Sequence, residues 1–428
     1  MSEAKPKQPK GLKRSLAKPA PKSAAAENGG SSKRQKPNPA GAQQGLSEPK
    51  LPPDVEAGTK TVALDVEEQD EVSVLKALFD SAVEKHESGD LEGAKDLFRG
   101  CVHECDKVLR IHSGAVPQAA DANAVEDAGI AASGAAPMSS SDATPLPPDF
   151  HLVYGNALFQ LGLTTMEGAT QKEEDTLDAY FDAAVERLEV GLERAEAEKA
   201  DDFRIRAALG RVLLEKSSWI LESSGDIPSA DALSERALTL VDIPAITALD
   251  LSIEKNLALV SDILDVGTAC QRHADVRADS AACGRWVDVA QKLYTKILEA
   301  SPSYTDALIG LGGASLSLAN HLVEEWEAED VQPEDSDALP SIRAHLDTAL
   351  DYFERAQKAA GETLDTLAYA PLLLLTGECL VNLGNYSESD AEPHQRAIEY
   401  FRRVQKIDSK ALPAEFAEFI QEWEEQMA

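Results

Sequence analysis

The apolar positions along the chain repeat at helical spacing in blocks of about 15 to 25 residues, separated by turn residues. In Gly89–Arg110 (GDLEGAKDLFRGCVHECDKVLR), Leu91, Ala94, Leu97 and Phe98 fall on one face. Cys101, Val102, Cys105, Val108 and Leu109 continue it. Upstream, Val72, Leu75, Leu78, Phe79, Ala82 and Val83 make an amphipathic partner that stops at Ser88-Gly89, so 70–110 reads as one helical hairpin. The offsets Gly89, Ala94, Phe98 and Cys101 are those of the second helix of a tetratricopeptide-like pair.

The same pattern returns downstream. Residues 150–167 and 173–197 predict a second pair, with Phe181, Ala184, Val185, Leu188 and Leu192 inward; 201–222 and 228–240 predict a third, turned at Ser224-Gly225-Asp226. A helix is expected over 245–273, with Leu249, Ile253, Leu257, Val260, Ile263 and Leu264 inward. Residues 284–302 carry the clearest repeat, since Ala290, Tyr294, Ile297 and Pro302 stand at second-helix offsets. Tyr304–His321 with Ile342–Ala359, then Tyr369–Leu383 with Ala391–Ile407, predict two more pairs, and Ala414–Met427 a closing helix. Each pair leaves apolar surface that only a neighbour can cover. The fold class expected is all-α, an irregular helical-hairpin solenoid of tetratricopeptide-like character with a disordered basic N-terminal tail.

Composition divides the chain further. Residues 1–65 are rich in Lys, Pro, Ala, Gly and Ser, cannot bury enough apolar surface to offset ordering entropy, and are expected to be a disordered tail. Residues 66–110 form the first hairpin. Residues 111–148 are an Ala/Ser/Gly/Pro stretch too long for a compact loop and are expected to be a disordered insertion. Residues 149–428 form the solenoid body, interrupted at about 323–340 by an acidic loop without Lys or Arg that exposes Trp326.

Charge sets the tail apart from the body. The first 50 residues hold eleven Lys/Arg against three Asp/Glu, which leaves 30 of the 41 basic and 72 of the 75 acidic residues in the remainder. A body with net charge −42 repels a phosphate backbone and suits basic protein partners, so it is not expected to bind nucleic acid. In the tail, Lys13-Arg14 and Lys33-Arg34-Gln35-Lys36 stand with eighteen residues between them. Two basic clusters on a polar tether resemble a bipartite nuclear localisation signal, for which Lys13, Arg14, Lys33, Arg34 and Lys36 are the candidate residues and an import receptor the partner. No run of about 18 apolar residues is read as a membrane span, and no apolar signal core begins the chain. Cys101, Cys105, Cys270, Cys283 and Cys379 are scattered, as suits reduced thiols.

Candidate chemistry is thin. Gly310-Leu311-Gly312-Gly313 lacks the Lys-Ser/Thr of a phosphate loop and lies within a helical pattern, where close backbone packing is the expected use. Cys101, His103 and Cys105 suggest a metal site, but on a helix His103 points about 200° away from Cys101, and no Cys-x-x-Cys pair exists to complete a tetrahedron. The cysteines are therefore expected to be core filler, packing the first hairpin against the pair that begins at Phe150. No catalytic residue, cofactor-binding residue or metal ligand is assigned, and an enzyme is not expected.

The block Gly100-Cys101-Val102-His103-Glu104-Cys105-Asp106-Lys107-Val108-Leu109-Arg110 resembles a signature of the fungal enhancer-of-translation-termination family. A second block, Phe181–Leu192, is similar to the same family, and Ala349–Ala356 more loosely so. Gly100, Cys101, His103, Glu104, Cys105, Asp106 and Arg110 are the signature residues, read as structural. The resemblance implies a non-enzymatic nuclear protein of tetratricopeptide-like fold that promotes correct translation termination. It further implies an effect on hypoxic gene expression through a partner of the 2-oxoglutarate- and iron-dependent prolyl-hydroxylase type. A ribosome-associated protein is the other partner considered. The alternative reading is an acidic chaperone or carrier for basic proteins such as histones or ribosomal proteins, for which the acidic loop is the argument.

Overall fold

In the computed structural model, the residues described are 71–112, 145–166, 174–249, 251, 256–328, 338–386 and 391–427. Among them the regular structure is helical, without a strand. The chain divides into two compact units that meet in sequence at Pro302 and Ser303. The architecture is the helical-hairpin solenoid expected from the sequence.

The first unit contains α1 (Glu71–Glu87), α2 (Leu91–His112), α3 (Pro148–Met166), α4 (Glu174–Glu198), α5 (Phe203–Ser223), α6 (Ile227–Leu240), α7 (Ile243–Ala248), α8 (Leu257–Asp275) and α9 (Ser280–Ala300). Helices α1 and α2, α3 and α4, α5 and α6, and α8 and α9 are antiparallel hairpins. The first helices of successive hairpins, α1, α3, α5 and α8, also touch one another in order, so they form one continuous face. Aspartates start several of these helices. Asp226, Asp242 and Asp279 each accept a hydrogen bond from a backbone N–H three residues on, offsetting the unpaired donors of a first turn. Gly89 closes the α1–α2 turn at φ +81°, a left-handed conformation that glycine adopts without strain.

The second unit contains α10 (Thr305–Ala328), α11 (Ala338–Ala360), α12 (Ala370–Asn385), α13 (Glu392–Ile407) and α14 (Ala414–Met427). Helices α10 and α11, and α12 and α13, are its hairpins, and α14 closes against α13. The segment Leu367–Asn385 has the length and mean hydropathy of a membrane span, although none is expected from the sequence. Its helix is packed within the unit, with Leu372, Leu373, Cys379 and Leu380 buried, as in the core helix of a helical bundle.

One rule recurs in both units: a glycine on the first helix of a hairpin receives an aromatic ring from the second. A Cβ on Gly267 would lie 2.7 Å from Tyr294 Cε1, on Gly312 2.5 Å from Phe353 Cε1, and on Gly377 inside the Phe401 ring contact. Phe353 and Phe401 are fully buried, so their rings cannot swing away. Gly310–Gly313 thus serves helix approach, as expected. Alanine at Gly312 should cost about 1–3 kcal/mol in overpacking, reduced by about 1 kcal/mol of helix propensity, and lower the thermal midpoint. Alanine at Gly100, where nothing lies within 4 Å of the added Cβ, should raise it. Differential scanning calorimetry of the two variants checks the opposite signs.

Four expectations are corrected. The helix expected over 245–273 is broken: Leu249 is extended (ψ 139°) and α8 starts only at Leu257. Ile246 and Leu251 are both buried, yet five residues apart on one helix they would face about 140° from each other, so the break lets both turn inward. Leu257, expected inward, is 62% exposed at the start of α8, and Ile253 lies outside the described residues. The acidic loop begins later than expected, because Val323–Ala328 continue α10 and Ala338 and Leu339 already belong to α11. Glu and Ala are strong helix formers, and Trp326 holds the last turns by lying edge-on to Tyr386, ring centroids 5.9 Å apart. Trp326 is therefore half-buried and not exposed.

The core of the first unit contains a histidine with a measurable consequence. His273 is fully buried, its Nδ1 3.1 Å from Ser218 Oγ and its ring edge-on to Trp286 at 4.8 Å. Burial first, and Arg277 second, lower its pKa to about 4. Because the folded value lies below the unfolded one, the neutral ring favours folding above about pH 6.5, and that contribution is lost as pH falls towards 4. The difference in urea midpoint between the parent chain and H273Q should therefore shrink between pH 6.5 and 4.

Candidate interaction site

The signature block lies in α2, and its residues part by face. Cys101 and Cys105 are fully buried; Cys101 Sγ lies 3.7 Å from the Leu75 carbonyl oxygen on α1. Burial pushes the Cys105 thiol well up, so it stays protonated. His103 is exposed on the opposite side, Glu104 pairs with Lys107 at 2.9 Å, and Gly100 is half-exposed. Among the described residues no three His, Cys, Asp or Glu side chains are grouped to hold a metal ion.

Asp106 is the block's link to the next hairpin. Its Oδ1 accepts a hydrogen bond from the Tyr154 hydroxyl on α3. Burial raises the Asp106 carboxyl above its ordinary value, against the Tyr154 hydrogen bond and the charges of Arg110 and Arg187. The Arg187 guanidinium on α4 stands over the Tyr154 ring at 5.6 Å and is only 7% exposed. Beside it His151 is buried, and burial with the charges of Arg187 and Arg194 lowers its pKa to about 4. The signature thus fastens α2 to α3 and α4. Tyr154 and Arg187 complete it, but nothing in their local sequence marks them as partners of Asp106.

The face shared by α1, α3, α5 and α8 is concave and encloses about 660 Å³. Its floor is apolar: Phe79 and Val83 from α1, Leu163 from α3, Ala207 and Ala208 from α5, and Leu257 from α8. The two sides differ in charge. On the α5–α8 side Arg204 Nε donates to Asp262 Oδ2 at 2.7 Å and Arg211 Nη1 to Asp265 Oδ2 at 2.5 Å. The Arg211 guanidinium also stands 4.9 Å above the Phe159 ring. Burial raises the Asp262 carboxyl, against the hydrogen bond from Arg204. On the α1 side Asp80, Glu84 and Glu87 are exposed at positions i, i+4 and i+7, with Lys76 one turn before them. The side-chain amides of Asn156 and Gln160, one turn apart on α3, point into the groove and have no hydrogen-bond partner among the described residues.

The tail residues Lys13, Arg14, Lys33, Arg34 and Lys36 lie outside the described residues, as does most of the 111–148 stretch; Ile111 and His112 end α2, and Leu146 is buried ahead of α3. The groove was not anticipated from the sequence. Phe79, Val83 and Leu257 read as core positions in the sequence, and nothing there singles out Asn156 or Gln160.

Residues 29–235 match a family model described as nuclear pore complex subunit Nro1. The protein named "Negative regulator of ofd1" from Schizosaccharomyces pombe is 29% identical over 150 residues, 35% of this chain and 30% of that protein. "Enhancer of translation termination 1" of Yarrowia lipolytica is 20% identical over 371 residues, 81% of this chain and 84% of that protein. The Candida albicans (strain SC5314) protein of the same name is 27% identical over 154 residues, 36% of this chain and 27% of that protein. The match to the S. pombe and C. albicans proteins thus spans less than a third of their length. A solved structure, the S. pombe nuclear import adaptor Nro1, aligns with 83% of this chain and all of its own at 18% identity and a TM-score of 0.47. The resemblance read from the two sequence blocks is borne out: the chain is similar to the fungal Nro1 and enhancer-of-translation-termination proteins.

Proposed function

We propose that this chain is a non-enzymatic nuclear adaptor that promotes correct translation termination by holding a protein partner on its helical scaffold. The observation that carries the reading is the match over 371 residues, most of both chains, to a protein named for enhancing translation termination. The scaffold supports it: stacked hairpins give extended, rigid surfaces suited to holding another protein. Nuclear residence is supported by the family description and by the tail clusters Lys13-Arg14 and Lys33–Lys36. For the partner, an oxygenase of the 2-oxoglutarate prolyl-hydroxylase type follows from the family resemblance, and with it an effect on hypoxic gene expression.

A strain lacking the gene, carrying a dual reporter with a stop codon between two coding regions, should show raised readthrough at all three stop codons. Unchanged readthrough would remove the termination role.

A further inference from the structure

The groove between α1, α3, α5 and α8 has the features of a peptide site. Leu257 offers a large apolar surface at 62% exposure on a floor with Phe79 and Val83. The amides of Asn156 and Gln160 line that floor, without a hydrogen-bond partner among the described residues. A carboxamide can donate to a carbonyl and accept from an N–H, which is what the backbone of an extended segment presents.

Charge selects among peptides. Arg204 and Arg211 are each engaged by an aspartate, so the α5–α8 side gives little to an anionic ligand. The α1 side presents Asp80, Glu84 and Glu87 beside Lys76 and His86, with Asp80 also in the field of Arg204, so the groove's carboxylates outnumber its permanent cations by five to three. A free carboxyl terminus or an acidic segment would meet net repulsion, whereas a Lys or Arg side chain would find up to three carboxylates along one helix face.

We propose that this groove receives an extended segment of the partner, bearing a Lys or Arg two residues from a bulky apolar side chain. The proposal rests on the adaptor reading above and names its surface. In an extended segment, residues two apart point to one side, so the basic group reaches α1 while the apolar one covers Leu257. The backbone between them pairs with Asn156 and Gln160.

The test uses the full chain and a positional-scanning array of acetylated, amidated octapeptides, followed by fluorescence anisotropy on the best binder. Selected peptides should carry Lys or Arg two positions from Leu, Ile or Phe. The triple variant D80K/E84K/E87K should weaken that binding at least tenfold and should bind the peptide in which Glu replaces the basic residue. L257D should also weaken binding at least tenfold. All four positions are exposed, so the folded chain should be retained, as circular dichroism would verify. The proposal is overturned if no such pattern is selected or if charge reversal leaves affinity unchanged. It is equally overturned if binding appears only after Lys13, Arg14, Lys33, Arg34 and Lys36 become Ala, since the chain's own tail would then be the occupant. The adaptor reading is judged separately. Raised readthrough on deletion, fully rescued by D80K/E84K/E87K, removes the groove alone; no rise on deletion removes the adaptor.

Discussion

Replacing Trp286 with alanine should destabilise the first unit by about 3–5 kcal/mol, the cost of removing a large aromatic from a packed core. Trp286 heads the largest fully buried side chains and is 1% exposed. It packs edge-on against His273 at 4.8 Å, while the Arg285 guanidinium stands 5.7 Å from its ring. Truncation would open a cavity between α8 and α9 and uncover a histidine whose Nε2 already has no partner. The transition followed at 222 nm in urea should move to clearly lower denaturant. Trp326, half-buried at the end of α10, supplies the contrast: W326A should cost about 1 kcal/mol or less. Equal losses for the two variants would mean that the packing around Trp286 is not what holds α8 and α9 together.

The second large effect concerns location. With Lys13, Arg14, Lys33, Arg34 and Lys36 all changed to Ala, a fluorescent fusion should move from the nucleus to the cytosol. The body from α1 onward does not contain these residues, so thermal unfolding should be unchanged. The physical basis is the contrast between a tail of eleven basic and three acidic residues and a strongly acidic remainder. Only the tail offers an acidic-grooved receptor a dense positive charge. A variant fusion that stays nuclear would show that these clusters do not carry import.

Much of the fold was legible because each repeat writes its packing locally. Ala290, Tyr294 and Ile297 sit at second-helix offsets, and all three are buried in α9. The glycine cluster at Gly310–Gly313 was readable as close packing, and Gly312 does meet Phe353. What escaped the sequence depends on distant partners. The break after α7 follows from Ile246 and Leu251 both turning inward, and helical spacing alone cannot tell one long amphipathic helix from two short ones. Trp326 is covered by Tyr386, sixty positions away. Asp106 and Tyr154 are 48 residues apart, across a stretch with no pattern to bridge them. The groove was hidden for a related reason. Its floor residues carry the same apolar signal as core residues, and only the packing of the first helices side by side shows that Leu257 stays 62% exposed.

The most direct measurement is cross-complementation. This chain, expressed in a Yarrowia lipolytica strain lacking its own enhancer of translation termination 1, should bring stop-codon readthrough in a dual reporter back to the parental level. Readthrough that stays raised with this chain present in the nucleus, while the Yarrowia protein restores it, would contradict the account.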